Sequence, residues 1–328
     1  MTDWRFHLAK QRGTLTALAI FIAMFVFYVA NHPAGFTANV VQTVANKGVL
    51  LALVAMAQTF VVLTSGIDLS VGMIFILCNC VASYVVSGSA LETTFGIAGV
   101  IAVGAVCGAI NAMIVIFGRL QPIVTTIATG AVYFGIALWI RPSPGTSSEF
   151  NSDIADALTG KLFDLVPTSV VVLLGVVLVV WLPFQGSVIG RAVYAVGSSE
   201  QAAYMSGMPI RRAKFAAYVL GGMLAACGGL FLTFFTYSGE ASLANGNTYT
   251  LYSIAAVVLG GVSLFGGRGS AIGAIFGALA FRAIGDLLFV FNVDPLWQPL
   301  FQGLVLLLAV SIGSARLFQV RNRLELFT

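Results

Sequence analysis

The sequence predicts an all-α polytopic membrane protein of about ten transmembrane helices (roughly 8–10), with both termini in the cytoplasm. Three observations carry this. The 328 residues are 59% hydrophobic and only 9% charged, against roughly 25% charged in soluble domains. Apolar stretches long enough to cross a bilayer recur along the whole chain. The basic residues gather in alternate connecting segments, as they do on the cytoplasmic side of membrane proteins. Little chain is left for a soluble domain, so residues 1–328 read as one membrane-spanning domain.

A spanning helix needs about 20 predominantly apolar residues, with roughly 17–25 as the working range. Ten stretches qualify, some only at the short end: Leu15–Ala30, Gln42–Thr64, Ser70–Gly88, Phe95–Phe117, Pro122–Ile140, Pro167–Pro183, Phe215–Tyr237, Leu251–Phe265, Ala271–Phe291 and Trp297–Ser314. The first is followed by His32-Pro33 with no small-residue cleavage pattern, so it reads as a retained span.

Ten crossings starting from inside put Arg5, Lys10, Arg12, Arg119, Arg191, Arg211, Arg212, Lys214, Arg268, Arg316, Arg321 and Arg323 in the cytoplasm, and only Arg141 and Lys161 outside. Glu92, Glu149, Asp153, Asp156, Asp164, Glu240 and Asp294 fall outside. The net charge of +4 therefore expresses orientation and points to no nucleic-acid partner. Cys78, Cys80, Cys107 and Cys227 lie in apolar runs without metal-site spacing and read as small buried hydrophobes.

Between the sixth and seventh spans lies the polar, basic segment Gly190–Lys214. Glu200 to Ser206 has helix-forming composition and follows Ser198-Ser199, a cap pair. A short helix lying in a cytoplasmic loop suits the docking of a partner; a plain solvated loop is the other reading. The outer loop from Arg141 to Val166, with two prolines and four acids, is either a disordered connector or a surface for an extracytoplasmic partner.

Thr64-Ser65-Gly66-Ile67-Asp68-Leu69-Ser70-Val71-Gly72 interrupts an otherwise apolar run, and Asp68 is its one charge. A carboxylate at membrane depth needs water, a cation or backbone donors. Gly66 and Gly72 let the chain break, and Asp68 can cap a helix starting near Ser70. The segment is either a hinge or pathway element, or a capped turn between two spans.

Three further patterns stand out. Arg282 and Asp286 are spaced to meet on one helical face, as a structural pair or as pathway lining; Lys47 is a third intramembrane charge. Gly269, Gly273 and Gly277 form a small-residue stripe for close helix packing, within the subunit or at a dimer. Gln121, Thr125, Thr129 and Tyr133 recur every four residues, either lining a path for hydroxyl-rich solutes or bonding other helices. There is no phosphate-binding loop, because Gly266 to Ser270 lacks the lysine, and no HExxH or GxSxG motif; His7 and His32 stand apart. The chain is not read as an enzyme.

TSGIDLSVG resembles a motif of the permease subunits of bacterial ABC sugar importers, the ribose-type group related to branched-chain amino-acid permeases. The run Gly190-Arg191-Ala192-Val193-Tyr194-Ala195-Val196-Gly197, continuing through EQAA to Ser206-Gly207, is similar to that family's cytoplasmic loop, and Ile254 to Gly269, IAAVVLGGVSLFGGRG, to its late block. The resemblance implies a vitamin-B12/ribose-type (type II) importer fold in the bacterial inner membrane. It implies that the coupling element containing Gly190, Arg191, Glu200, Ala203, Ser206 and Gly207 docks on a separate ABC ATPase subunit, which binds the ATP, so that this chain needs no cofactor. It also implies an external substrate-binding protein and a second permease subunit, identical or a sister chain. The substrate expected is a monosaccharide or related polyol. Ribose-type relatives usually carry acids where Thr250 and Tyr252 stand, and an Asn-Asn-Gly-like run where this chain has Arg282 and Asp286. The alternative function is an ion-coupled secondary transporter using Asp68, Lys47 or the Arg282 and Asp286 pair, although no second copy of GIDLSVG marks an inverted repeat.

Overall fold

A computed structural model describes residues 11–308 and 311. Arg5, His7, Lys10, Arg316, Arg321, Arg323 and the expected end of the tenth span at Ser314 lie outside the described residues.

The described chain is helical almost throughout. In order it forms α1 (Arg12–Asn31), α2 (Ala38–Val62), α3 (Val71–Val85), α4 (Ala90–Phe117), α5 (Pro122–Ile140) and α6 (Ser152–Thr159), then a two-stranded hairpin of β1 (Lys161–Leu162) and β2 (Val166–Pro167). There follow α7 (Thr168–Gly186), α8 (Val188–Ser198), α9 (Glu200–Met205), α10 (Ile210–Thr236), α11 (Leu243–Leu259), α12 (Ala271–Val290) and α13 (Pro295–Leu308). Seven of these, α1, α2, α4, α5, α7, α10 and α12, are long and apolar enough to cross a membrane. The expected spans over Ser70–Gly88, Leu251–Phe265 and Trp297–Ser314 correspond to the shorter helices α3, α11 and α13.

Helix boundaries follow local chemistry. Ser89 and Glu92 form a reciprocal capping box, which starts α4 five residues before the apolar run. Pro183 falls inside α7, where its ring and missing N–H disturb the helix; a π turn at Val177–Trp181 lies just before it, with the Leu182 N–H reaching Val177 O. The largest shift is in α11, which starts at Leu243 and ends at Leu259, not Leu251–Phe265. Ser242 caps its first turn by accepting from Asn245 N at 3.3 Å, and Gly246 and Thr250 in its early turns lie against Gly72 of α3. A hydropathy reading does not register helical turns rich in polar residues.

α2 is the axis of the bundle, almost wholly buried and flanked by α10, α12, α11 and α7. α10 packs on α4, α3 and α2, and α12 on α2, α1 and α11. Glycines set these distances. A Cβ at Gly108 would lie 2.2 Å from Tyr218 O, and one at Gly222 2.1 Å from Gly104 O, so α4 and α10 touch backbone to backbone. Outward-facing side chains such as Phe27, Val132, Trp139 and Val179 are apolar and exposed, as lipid-facing residues are.

One end of the bundle carries Arg12, Arg119, Arg191, Arg211, Arg212, Lys214 and Arg268; the other carries most of the acids. At the acidic end the loop from Arg141 to Val166 is folded, which corrects the disordered-connector expectation. Arg141 is buried, donating from Nε to Ser83 Oγ at 3.0 Å and stacking over Tyr84. α6 is capped by Asn151 and lies across the ends of α2 and α10: Gln42 and Asn46 both donate to Thr159 O, and Tyr237 bonds Asp156.

Candidate functional site

The break between α2 and α3 is the best-connected polar feature of the bundle. α2 ends at Val62, Ser65 takes a left-handed φ of 64°, and α3 begins at Val71. Asp68 lies inside this break at 2% exposure. It does not cap α3 in the expected way: Ser70 is the capping position and makes no side-chain cap bond. Instead, Asp68 Oδ1 accepts from Ser70 N at 2.8 Å and from Ser70 Oγ at 2.6 Å, a closed local turn.

The turn is tied to three other helices. Asn111 Nδ2 of α4 donates to Ser70 Oγ at 2.8 Å, and the Tyr133 hydroxyl of α5 lies 3.0 Å from Asn111 Oδ1 and 2.9 Å from Cys107 O. Leu69 N donates to Thr126 Oγ1 at 2.9 Å. Gln58 of α2, with its amide turned to suit both partners, bonds the backbone O and N of Asp68. Asp68 forms an ion pair with no basic side chain among the described residues. Its carboxyl group is satisfied by the Ser70 N–H and hydroxyl and not by a counter-cation.

Gly66 and Gly72 serve different ends. Gly66 sits in the break, under Val61 and Tyr218. Gly72 lies within the first turn of α3 and does not break the chain. Its missing side chain lets α11 approach, since a Cβ there would be 2.0 Å from Gly246 O. Its N–H donates to Thr250 Oγ1 at 3.1 Å, one of the orphan donors of a helix start. Thr250 thus contributes a cap bond to the start of α3.

The Gly190–Lys214 segment folds as two short helices. Ser199 caps α9 by accepting from Ala202 N. Gly207, at φ +70°, closes it, with Met208 N reaching back to Ala203 O at 3.0 Å. Ala203 is the buried residue of α9, while Tyr204, Met205, Ser206 and Gly207 are exposed. Glu200 is paired with Lys214 at 2.7 Å, fastening α9 to the start of α10. Gly190 is buried, its Cβ position 2.0 Å from Phe184 O, and Arg191 is exposed.

These two regions and the Gly266–Gly269 loop meet. Ser65 Oγ lies 2.9 Å from Gly197 O and 2.7 Å from Phe265 O. Gly267 N donates to Leu63 O at 3.1 Å, and the Tyr194 hydroxyl to Gly269 O at 2.8 Å. A Cβ on Gly197 would fall 1.9 Å from Leu63 O and 2.5 Å from Gly267 N. The junction therefore links the exposed α9, through α8, to the turn that holds Asp68. Sequence reading singled out all three segments, but not that they touch.

The other candidates divide. Thr125, Thr129 and Tyr133 are buried on the inward face of α5, with Gln121 exposed at its start. Thr129 Oγ1 bonds Thr126 O, while Thr125 Oγ1 has no partner. Gly273 faces Gly260 O, just past the end of α11, and Gly277 faces Ala256 O of α11, so these two glycines pack within the subunit. Gly269, at φ +125°, stands in the loop and not on the helix. The expected Arg282 and Asp286 pair is corrected: Asp286 pairs with Lys47 of α2 at 3.3 Å, while Arg282 Nε is buried without a partner. The intervening turn of helix brings the two residues to the same side, but the lysine from the neighbouring helix takes the carboxylate.

Residues 40–310 match the family model described as branched-chain amino acid transport system / permease component. The chain is 32% identical over 309 residues to the ribose import permease protein RbsC of Escherichia coli, covering 93% of this chain and 94% of that one. It is 34% identical over 323 residues to the autoinducer 2 import system permease protein LsrC of Klebsiella pneumoniae, covering 96% and 90%. It is 33% identical over 307 residues to a probable ABC transporter permease protein of Sinorhizobium fredii, covering 93% and 90%. No solved structure matches it.

Proposed function

This chain belongs to the family of branched-chain amino acid transport system permease components, and from that premise we propose that it is the membrane-spanning subunit of an ATP-driven importer for a monosaccharide or related polyol. It is a multi-pass permease and not an enzyme, like the import permeases it resembles. In this reading about ten helices (roughly 8–10) cross the bacterial inner membrane, both termini are cytoplasmic, and the fold is of the type II importer kind. A separate ABC ATPase docks on α9 and its flanks, around Gly190, Arg191, Glu200, Ala203, Ser206 and Gly207. A substrate-binding protein delivers the solute to the acidic end, and a second permease subunit completes the pore. Gln121, Thr125, Thr129, Arg282 and Asp286 are the proposed pathway residues; the Thr125 hydroxyl and Arg282 Nε are buried without a partner and would meet a sugar once the pathway opens.

The observation that carries the mechanism is the junction of Ser65, Gly197 and Gly267. Movement of α9 by a closing ATPase is passed along α8 by backbone contacts that leave no slack. It reaches the Ser65–Ser70 turn, where Gly66, Asp68 and Ser70 fix the angle between α2 and α3. Asp68, held by hydrogen bonds alone, keeps a structural role through the cycle.

The test is uptake by reconstituted full-length protein with its ATPase and binding protein, with and without an ion gradient. Uptake that requires ATP hydrolysis and ignores the gradient is expected; gradient-driven uptake without ATP sinks the proposal. Within that assay Glu200→Lys should leave the protein inserted, because a half-exposed ion pair is worth only about 0–1 kcal/mol. Stimulation of the ATPase should nevertheless fall severalfold, since the docking helix loses its anchor and reverses charge. Stimulation at the wild-type level would remove α9 from the coupling role.

A further inference from the structure

We propose that the bundle holds an anionic phospholipid in a groove at its basic end, formed by the last turns of α4, the start of α8 and the first turns of α10. The groove has a volume of about 440 Å³, and Met113, Ile116, Phe117, Ile189, Phe215 and Ala216 form its apolar wall. Arg211 and Arg212 complete the lining. The lining is almost wholly apolar, so the two exposed arginines border the groove with their stems and hold their guanidiniums at its rim; an apolar groove with cations at its edge suits an acyl chain below a phosphate.

Three independent features support that occupant. First, neither Arg211 nor Arg212 has an ion-pair partner among the described residues, whereas their neighbour Lys214 is paired with Glu200. The Arg211 guanidinium sits 5.9 Å from the centre of the Phe117 ring, over the groove wall. Secondly, α10 starts with no side-chain cap and no acidic residue in its first turn. Its N-terminal N–H groups and dipole therefore add to the positive field. Thirdly, Phe117, Met113 and Phe215 are exposed large hydrophobics in the same few turns. A free phosphate would satisfy the arginines and leave this wall bare, and a zwitterionic lipid would cover the wall and leave the arginines without a net anion. Basic pockets between transmembrane helices at the cytoplasmic level suit anionic head groups, and guanidinium forks bind phosphate bidentately.

The experiment is native mass spectrometry of the full-length protein in neutral detergent. It is titrated with phosphatidylglycerol, with phosphatidylcholine of the same acyl chains, and with glycerol 3-phosphate. Each guanidinium is expected to contribute about fivefold, so phosphatidylglycerol should bind about 25-fold more tightly than phosphatidylcholine, and glycerol 3-phosphate should leave no adduct. This comparison needs no variant. The double variant Arg211→Gln, Arg212→Gln should erase the preference. Ala216→Phe, which fills the groove and keeps both arginines, should weaken phosphatidylglycerol binding at least fivefold. Arg191→Gln, the same charge loss outside the groove, should leave it unchanged. Equal binding of the two lipids overturns the proposal, as does an unchanged affinity in Ala216→Phe or an equal loss in Arg191→Gln. A photoreactive phenylalanine at Phe117 that cross-links in membranes to a second copy of the chain or to an ATPase, and not to lipid, also overturns it.

Discussion

Asp286→Ala is expected to remove most of the folded protein from the membrane fraction. The carboxylate is buried and faces Lys47 at 3.3 Å, with Lys47 one-third exposed. Removing one member of a buried pair typically costs about 3–5 kcal/mol, because the remaining charge keeps its desolvation penalty. The partial exposure of Lys47 puts the expectation near the lower figure, still a large fraction of the roughly 5–15 kcal/mol that holds a domain folded. The matched double variant Lys47→Met, Asp286→Leu should recover most of the loss. The double variant Arg282→Leu, Asp286→Leu should not, since Lys47 stays stranded. Thermal unfolding of the detergent-solubilised protein across both cycles is the measurement. Equal rescue by the two doubles would return the carboxylate to Arg282.

Gly197→Val is expected to abolish coupled uptake, by at least tenfold. The first atom of any side chain there falls 1.9 Å from Leu63 O and 2.5 Å from Gly267 N. Both are backbone atoms, so no rotamer can relieve the overlap. The bond from Gly267 N to Leu63 O must open, and Ser65 loses its hold on Gly197 O. Overpacking among side chains usually costs about 1–3 kcal/mol; separating three chain segments should exceed that at the junction. The control is Gly175→Ala in α7, where an added Cβ meets nothing within 4 Å. ATP-driven uptake per inserted molecule is the readout. Wild-type uptake in Gly197→Val would show that the junction transmits nothing.

Composition, apolar run length and the placement of basic residues decided by themselves that the chain is a helical membrane protein, and roughly where each helix lies. These are local quantities, and every residue of a span reports its solvent independently. The short helix from Glu200 and its cap at Ser199 were legible for the same reason, because capping is written in adjacent residues. The start of α11 was not legible to an apolar-run reading: its first turns are rich in polar residues, and the approach of Gly246 and Thr250 to Gly72 of α3 is a tertiary contact. Tertiary structure also decided which partners the charges take. Arg282 is four residues from Asp286, yet Lys47, 239 positions away, wins it because α2 and α12 pack side by side. Likewise Tyr133 was legible as one of a four-spaced stripe, but neither it nor Asn111 as the two links behind Ser70 and Asp68. The glycines at positions 197, 266 and 267 could be seen as permissive, and only the fold put them in contact with Leu63 and Ser65. Burial of polar groups in a membrane must be settled by partners, and which partners are within 3 Å depends on how the helices pack, which no local pattern encodes.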